Sequence, residues 1–391
     1  MLSVAAYSGM FVFGIVMALL GAVLPALSER LHFAVADIGT LFLIMNFAML
    51  VCSLVLGLGM DRFGMKPPLA LGPLLVAVAL VLIAHAQAFS DLFPAVALLG
   101  IGGGAVNGAA NTLVADLHED PQRKSAALNL VGVFFGFGAL FLPFAIGALL
   151  AKFSLAALLV AAALLCAAAG VYSLSLRYPA PKQAHRLPVA DMPRFLRSPL
   201  VLNFAALLFF ESGVEFTLGG FISIYLTHDM AISSVSMASW ILAGYWAAVI
   251  LSRTVLSRIA LGTDPFRILL FCSLGACLGA LVAAVAPVAG IAAFGIWLTG
   301  WSLAGIYPAV LGIAGARFQS HSGTVFGILF AIALTGGMIV PWVSGQVAAL
   351  AGLRWVFALV SGSFAAIVLL GRLAHRRTGS TEDKPQSLLR G

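Results

Sequence analysis

Glu211 and Glu215 stand four residues apart inside an apolar run that extends over about residues 200–227. On a helix that spacing puts both carboxylates on one face. An ionisable group inside a membrane-length apolar run costs about 3 kcal/mol on insertion scales and is a functional hypothesis by default. Two carboxylates this close resist being charged together, which suits one of them to taking up and releasing a proton. Either can also hold a polar or cationic solute. The plainer reading is that one snorkels to the interface or pairs structurally with a base.

Other polar groups share apolar runs with few charges. Asn46, Asn107, Asn111 and Asn129 offer amide donors and acceptors, which hydroxylated solutes need, although membrane asparagines also tie helices together. Tyr245, Trp301 and Tyr307 combine a flat apolar face with a polar tip; Tyr225, Trp246 and Trp297 are of the same kind. Tyr245 and Trp301 fall nearest mid-run. Arg253 lies near one end of its run and reads as part of a loop latch. The run Gly100-Ile-Gly-Gly-Gly104 follows no strand, and no G-x-x-x-x-G-K-[ST] occurs, so it is read as helix packing and not as a phosphate cradle. The seven histidines and four cysteines have no metal-ligand spacing, and no nucleophile–base set appears. We expect no cofactor, no metal and no catalytic residues.

The elements that must position these groups follow from composition. Of 391 residues 62% are hydrophobic and only 9% charged, with a mean hydropathy of +1.10; soluble domains carry about 25% charged residues. The natural solvent is therefore lipid. A helical crossing needs about 20 apolar residues, and twelve runs qualify: about 5–27, 37–60, 68–88, 92–116, 125–151, 154–176, 200–227, 234–257, 266–286, 289–315, 322–350 and 353–373. The first lacks a basic leader and a clear cleavage site, so it reads as a span and not a signal peptide. Of the 21 Lys and Arg residues, all but Arg30, Lys152 and Arg354 fall at even-numbered connections or the C-terminal tail. The positive-inside rule then places both termini in the cytoplasm. The basic residues form short clusters and no continuous stripe, which excludes a nucleic-acid surface despite the net charge of +7.

The chain also repeats itself. Gly21 and Leu27 recur 199 residues on as Gly220 and Leu226; Gly102, Leu113, Gly138, Pro143 and Gly147 recur 198 residues on as Gly300, Leu311, Gly336, Pro341 and Gly345. The expected organisation is an N-terminal six-helix bundle (1–176), a Pro- and base-rich cytoplasmic linker (177–199), a second six-helix bundle (200–375) and a disordered tail (376–391).

The connection between runs 2 and 3, Gly57-Leu-Gly-Met-Asp61-Arg62-Phe-Gly64-Met-Lys66-Pro67, resembles the signature of the major facilitator superfamily. Gly59 and Met65 depart from its usual Leu and Arg. The resemblance covers nearly the whole chain and implies twelve helices in two pseudo-symmetric bundles with a solute site at mid-depth between them. It also implies a latch of Gly57, Asp61, Arg62 and Gly64, with Arg62 pairing Asp116. Three further stretches, 129–143, 213–220 and 305–327, resemble the fucose-permease-like branch, which implies a sugar as solute and possible proton symport. The first span has no carboxylate and Gly132 stands where relatives often carry a polar residue, so the usual proton route is missing. The expectation is a monomeric secondary transporter of the inner membrane, working by alternating access in the lipid bilayer. Glu215 and Glu211 would couple protons, and Asn46, Asn107, Asn111, Asn129, Glu215, Tyr245, Trp301 and Tyr307 would bind solute. An exporter of amphipathic compounds, lined by Phe134, Phe141, Phe209 and Phe210, is the alternative; a membrane receptor or enzyme is weaker.

Overall fold

A computed structural model describes residues 1–118, 120–179, 192–259, 262–318 and 322–382. Side chains at 57–59, 61, 62, 121, 122, 124–126, 192, 193, 322–324 and 378–382 are not part of that description. The described residues are all-helical. In order they form α1 (Leu2–Leu31), α2 (Val35–Phe63), α3 (Lys66–His85), a 3-10 turn (Phe89–Asp91), α4 (Leu92–Asp116), α5 (Pro121–Leu149), α6 (Leu155–Ser175), the short α7 (Met192–Leu196), α8 (Pro199–His228), α9 (Val235–Ile259), α10 (Pro265–Val285), α11 (Ala289–Leu303), α12 (Ile306–Arg317), α13 (Ser322–Ala351) and α14 (Arg354–Glu382). Twelve segments among them are long and apolar enough to cross a membrane.

Local chemistry sets the helix ends. The helices α3, α5, α8 and α10 all open with Pro in the first turn, where its missing N–H costs nothing. Asp120, Ser154 and Asp264 accept the first free amides of α5, α6 and α10. Gly64 ends α2 at φ 77°, a left-handed conformation that a side chain disfavours. α14 runs on to Glu382, past residue 375, and residues 180–191 of the expected linker and 383–391 of the tail lie outside the described residues. The apolar run 289–315 is not one helix. It breaks at Ala304 and Gly305 into α11 and α12, because Pro308 has no N–H to return to the Ala304 carbonyl.

The internal repeat is visible in the packing. A Cβ on Gly138 would strike the Phe11 carbonyl, joining α5 to α1, and one on Gly336 would strike the Phe209 carbonyl, joining α13 to α8. The same pairing therefore occurs in both halves. The match of Gly102 to Gly300 is off by two residues. Gly100 packs on the Met45 backbone of α2 as Gly300 packs on Tyr245 of α9, an offset of 200, while Gly102 packs on Gly72 and Val76 of α3. Several neighbouring glycines in α4 made the slip possible.

The two halves meet along α2 with α13, α5 with α9, and α1 with α8. Their closest approaches are backbone-to-backbone at glycine: Gly21 on Gly219, Gly39 on Pro341 and Trp342, Gly345 on Ala36. Gly136 meets Ile250, and Gly147 meets Trp240. All of these lie from mid-depth to the end opposite the termini. Toward the terminus-bearing end Asn129 and Thr112 are exposed, and a Cβ on Gly108, Gly132, Gly312 or Gly327 would meet open space. The halves are closed at one end and apart at the other.

Candidate functional site

α8 carries both carboxylates into the seam. Glu211 is 2% exposed, and Glu215 follows one turn later on the same face. An Arg253 guanidinium nitrogen lies 3.9 Å from Glu215 Oε1, their side chains 29% and 15% exposed. This corrects the reading of Arg253 as a loop latch: α9 places it a turn deeper, beside a carboxylate. Its guanidinium also sits over the Phe135 ring of α5, 5.4 Å from the centroid, a cation–π contact across the seam. Phe135 is edge-on to Trp246 at 6.1 Å, and Trp246 edge-on to Tyr245 at 5.2 Å.

Tyr245 is fully buried and backed by Gly300 of α11, where a Cβ would come within 2.7 Å of its ring. Tyr307 opens α12 just past the helix break and stacks on Phe330 of α13 at 6.4 Å and 10°. Both tyrosines lie in the electrostatic field of Glu211, Glu215 and Arg253. The structure thus gathers Glu211, Glu215, Tyr245, Trp246 and Tyr307, and adds Arg253 and Phe135, which spacing along the chain did not single out for this role. Among the described residues Glu211 Oε2, Tyr245 Oη and Trp246 Nε1 are buried with no hydrogen-bond partner.

Across the opening, α4 and α5 offer neutral groups. Asn111 Nδ2 donates to Asn107 Oδ1 at 3.0 Å and to its carbonyl at 2.9 Å, and Asn129 is exposed on the α5 face that carries Gly136 about two turns farther on. Asn46 does something else. It is buried in the α2–α13 seam, donates to Phe42 of its own helix at 3.0 Å and lies against Gly337. Trp301 is 43% exposed and follows Gly300, which packs on the Tyr245 ring. Tyr225 donates to the Ala283 carbonyl at 2.6 Å and ties α8 to α10. Of the expected latch, Gly64 forms the turn, and Asp116 is the last residue of α4 and is exposed. The side chains of Asp61 and Arg62, and Gly57, lie outside the described residues.

Two carboxylates face one guanidinium, at mid-depth between two helical bundles that are closed on one side. Residues 6–233, more than half of the chain, match the family described as Major Facilitator Superfamily, and the chain belongs to it. The Bacillus subtilis glucose/mannose transporter GlcP is 24% identical over 399 residues, covering 96% of this chain and 95% of that protein. A probable vesicular acetylcholine transporter-A of Danio rerio is 28% identical over 143 residues, 37% of this chain. The chain spans only 28% and 22% of the length of that protein and its B form. The fold superposes on the nucleoside transporter NupG with a TM-score of 0.77 at 15% identity, covering 96% of this chain and all of the other. It superposes on the E. coli fucose:proton symporter FucP with 0.64 at 17%, covering 95% and 98%. Family and neighbours indicate a transporter rather than an enzyme. They span sugars, nucleosides and other solutes and single out no branch.

Proposed function

We propose that this protein is a monomeric, cation-coupled secondary transporter of a small neutral polar solute, a sugar or polyol, in the inner membrane with both termini in the cytoplasm. The observation that carries it is the buried Glu211–Glu215 pair, of which Arg253 balances only one charge. An unbalanced buried carboxylate is unstable unless it binds a cation, and cation uptake linked to rocking of the halves is what drives accumulation. In this orientation the open end faces the cytoplasm. The amides of Asn107, Asn111 and Asn129 on one side and Glu215, Tyr245 and Tyr307 on the other supply donors and acceptors for solute hydroxyls. Asn46 and Trp301 are better read as seam packing and outer surface. The Asp61–Arg62 turn acts as the latch, Arg62 meeting Asp116 when the cytoplasmic end closes. Full-length similarity to a glucose/mannose transporter favours a hexose. Counterflow of labelled glucose, mannose and fucose into proteoliposomes tests this. Exchange of one of them above protein-free vesicles is expected; failure of all three removes the sugar reading.

A second reading has its own support. Phe11, Phe134, Phe137, Leu140, Phe141 and Phe144 line an apolar groove of about 450 Å³ along α1 and α5, which suits an exporter of amphipathic cations. Phe209 and Phe210 are edge-on to each other on α8 at 5.4 Å, and the Phe209 backbone packs on Gly336. Resistance to lipophilic cations on expression, lost in Glu215→Gln, would favour that reading over the sugar.

A further inference from the structure

We infer that the buried carboxylate pair of α8, beside α9, is a site for one monovalent cation per transport cycle, and that Glu211, not Glu215, is the carboxylate that carries it. The inference rests on reading the chain as a cation-driven carrier and assigns the site and its stoichiometry. Charge counting comes first. The ionisable groups at this depth are Glu211 and Glu215 on α8, Tyr245 and Arg253 on α9, and Tyr307 on α12. The neighbouring α13 has no charged residue, α1 has none between Tyr7 and Glu29, α5 none between Lys124 and Lys152, and α14 none between Arg354 and Arg372. With the tyrosines neutral, the site lacks one positive charge.

Geometry then divides the roles. Glu215 is partly wet and has Arg253 at 3.9 Å, and Arg253 is itself held over Phe135. Glu211 is deeper, with Oε2 unpartnered, and the hydroxyl of fully buried Tyr245 is unpartnered in the same electrostatic neighbourhood. The free Glu211 carboxylate oxygen, with the Tyr245 hydroxyl as the second oxygen we assign to the site, is a hard-oxygen donor set that suits a proton or a sodium ion. A guanidinium already neutralising Glu215 leaves that carboxylate as a fixed spectator.

The test needs no solute. The full chain in nanodiscs is titrated with sodium chloride at constant ionic strength against choline chloride, and separately with acid in choline chloride, while thermal unfolding and tryptophan emission are followed. A saturable response to sodium with a Hill slope near one identifies sodium; a response to acid alone identifies the proton. Either is expected to vanish in Glu211→Gln and to weaken about tenfold in Tyr245→Phe, which loses one oxygen partner for a charge. The response should persist in the Glu215→Gln/Arg253→Met double variant, which keeps the unit deficit. If Glu211→Gln does not fold, Tyr245→Phe and the double variant still decide. No response to either cation in wild type, a slope near two, an unchanged response in Tyr245→Phe, or loss of the response in the folded double variant overturns the assignment. Hexose counterflow without a cation response would sink this inference together with the cation coupling it rests on and leave the hexose as solute; a cation response without hexose counterflow would sink the sugar reading alone.

Discussion

The helices α1 and α8 are copies of one element put to opposite uses. At an offset of 199, Gly14 matches Gly213 and Gly21 matches Gly220. Gly14 packs on α5 around Phe135 and Gly138, as Gly213 packs on α13 around Val340 and Gly336. Around the first of these glycines the copies diverge: Val12 and Val16 stand where α8 has Glu211 and Glu215. At the offset of 200 fixed by Gly100 and Gly300, Arg253 matches Ser53 and Tyr245 matches Met45. The whole charged cluster is missing from the first half. Packing therefore does not demand it, since the same scaffold is built with valine.

The sharpest way to break this symmetry is at the seam the copies share. A side chain on Gly21 would strike the Gly219 carbonyl, and backbone cannot give way as a rotamer can. Gly21→Val should cost about 3 kcal/mol of closure at the end opposite the termini, near the upper range for overpacking, a roughly hundredfold shift. Distances between spin labels at Ala34 and Leu350 should lengthen; an unchanged distribution would show that this contact does not limit closure. Next in size, Glu215→Val converts α8 to the α1 pattern and strands Arg253. A dry pair broken on one side costs about 3–5 kcal/mol; this one is partly wet, so about 2 kcal/mol is expected, read as a lower melting temperature. Adding Arg253→Met should restore most of it, and a double variant no better than the single would mean the pair is not coupled. The reverse graft, Val16→Glu, gives α1 a carboxylate with no guanidinium, and should cut membrane-inserted yield by the equivalent of about 2.5–3.5 kcal/mol at most. Smallest is Asn111→Ala. Losing its bond to Asn107 should cost about 0.6 kcal/mol of stability, while solute affinity falls several-fold if the amide touches solute. Unchanged affinity would leave only the helix-tying role.

Much of this was legible in the chain. The twelve spans were, because lipid imposes length and apolarity on every crossing. The carboxylate pair was, because i and i+4 fix a shared face whatever surrounds the helix. Gly138 and Gly336 were, because one Pro-anchored offset aligns them. What escaped depends on rotation and depth between helices, which hydropathy does not encode. Arg253 looked terminal by counting residues, yet α9 carries it beside Glu215. Trp301 looked central by the same counting and is 43% exposed. Asn46 and the seam could not be separated from a solute site, since an amide suits both. The break at Ala304 and Gly305 was written in Gly305 and Pro308 but was masked by an unbroken apolar run.

One further consequence follows from the burial of α1. In its most apolar stretch 89% of residues are enclosed by the rest of the protein, and no other span exceeds 61%. Lipid is its solvent only during synthesis, before the later helices close around it. Its leucines and valines are selected twice, once for insertion on their own and again for fit against neighbours that do not yet exist. Substitutions there should divide into those that stall biogenesis and those that spoil the finished machine, and the two need not be the same residues.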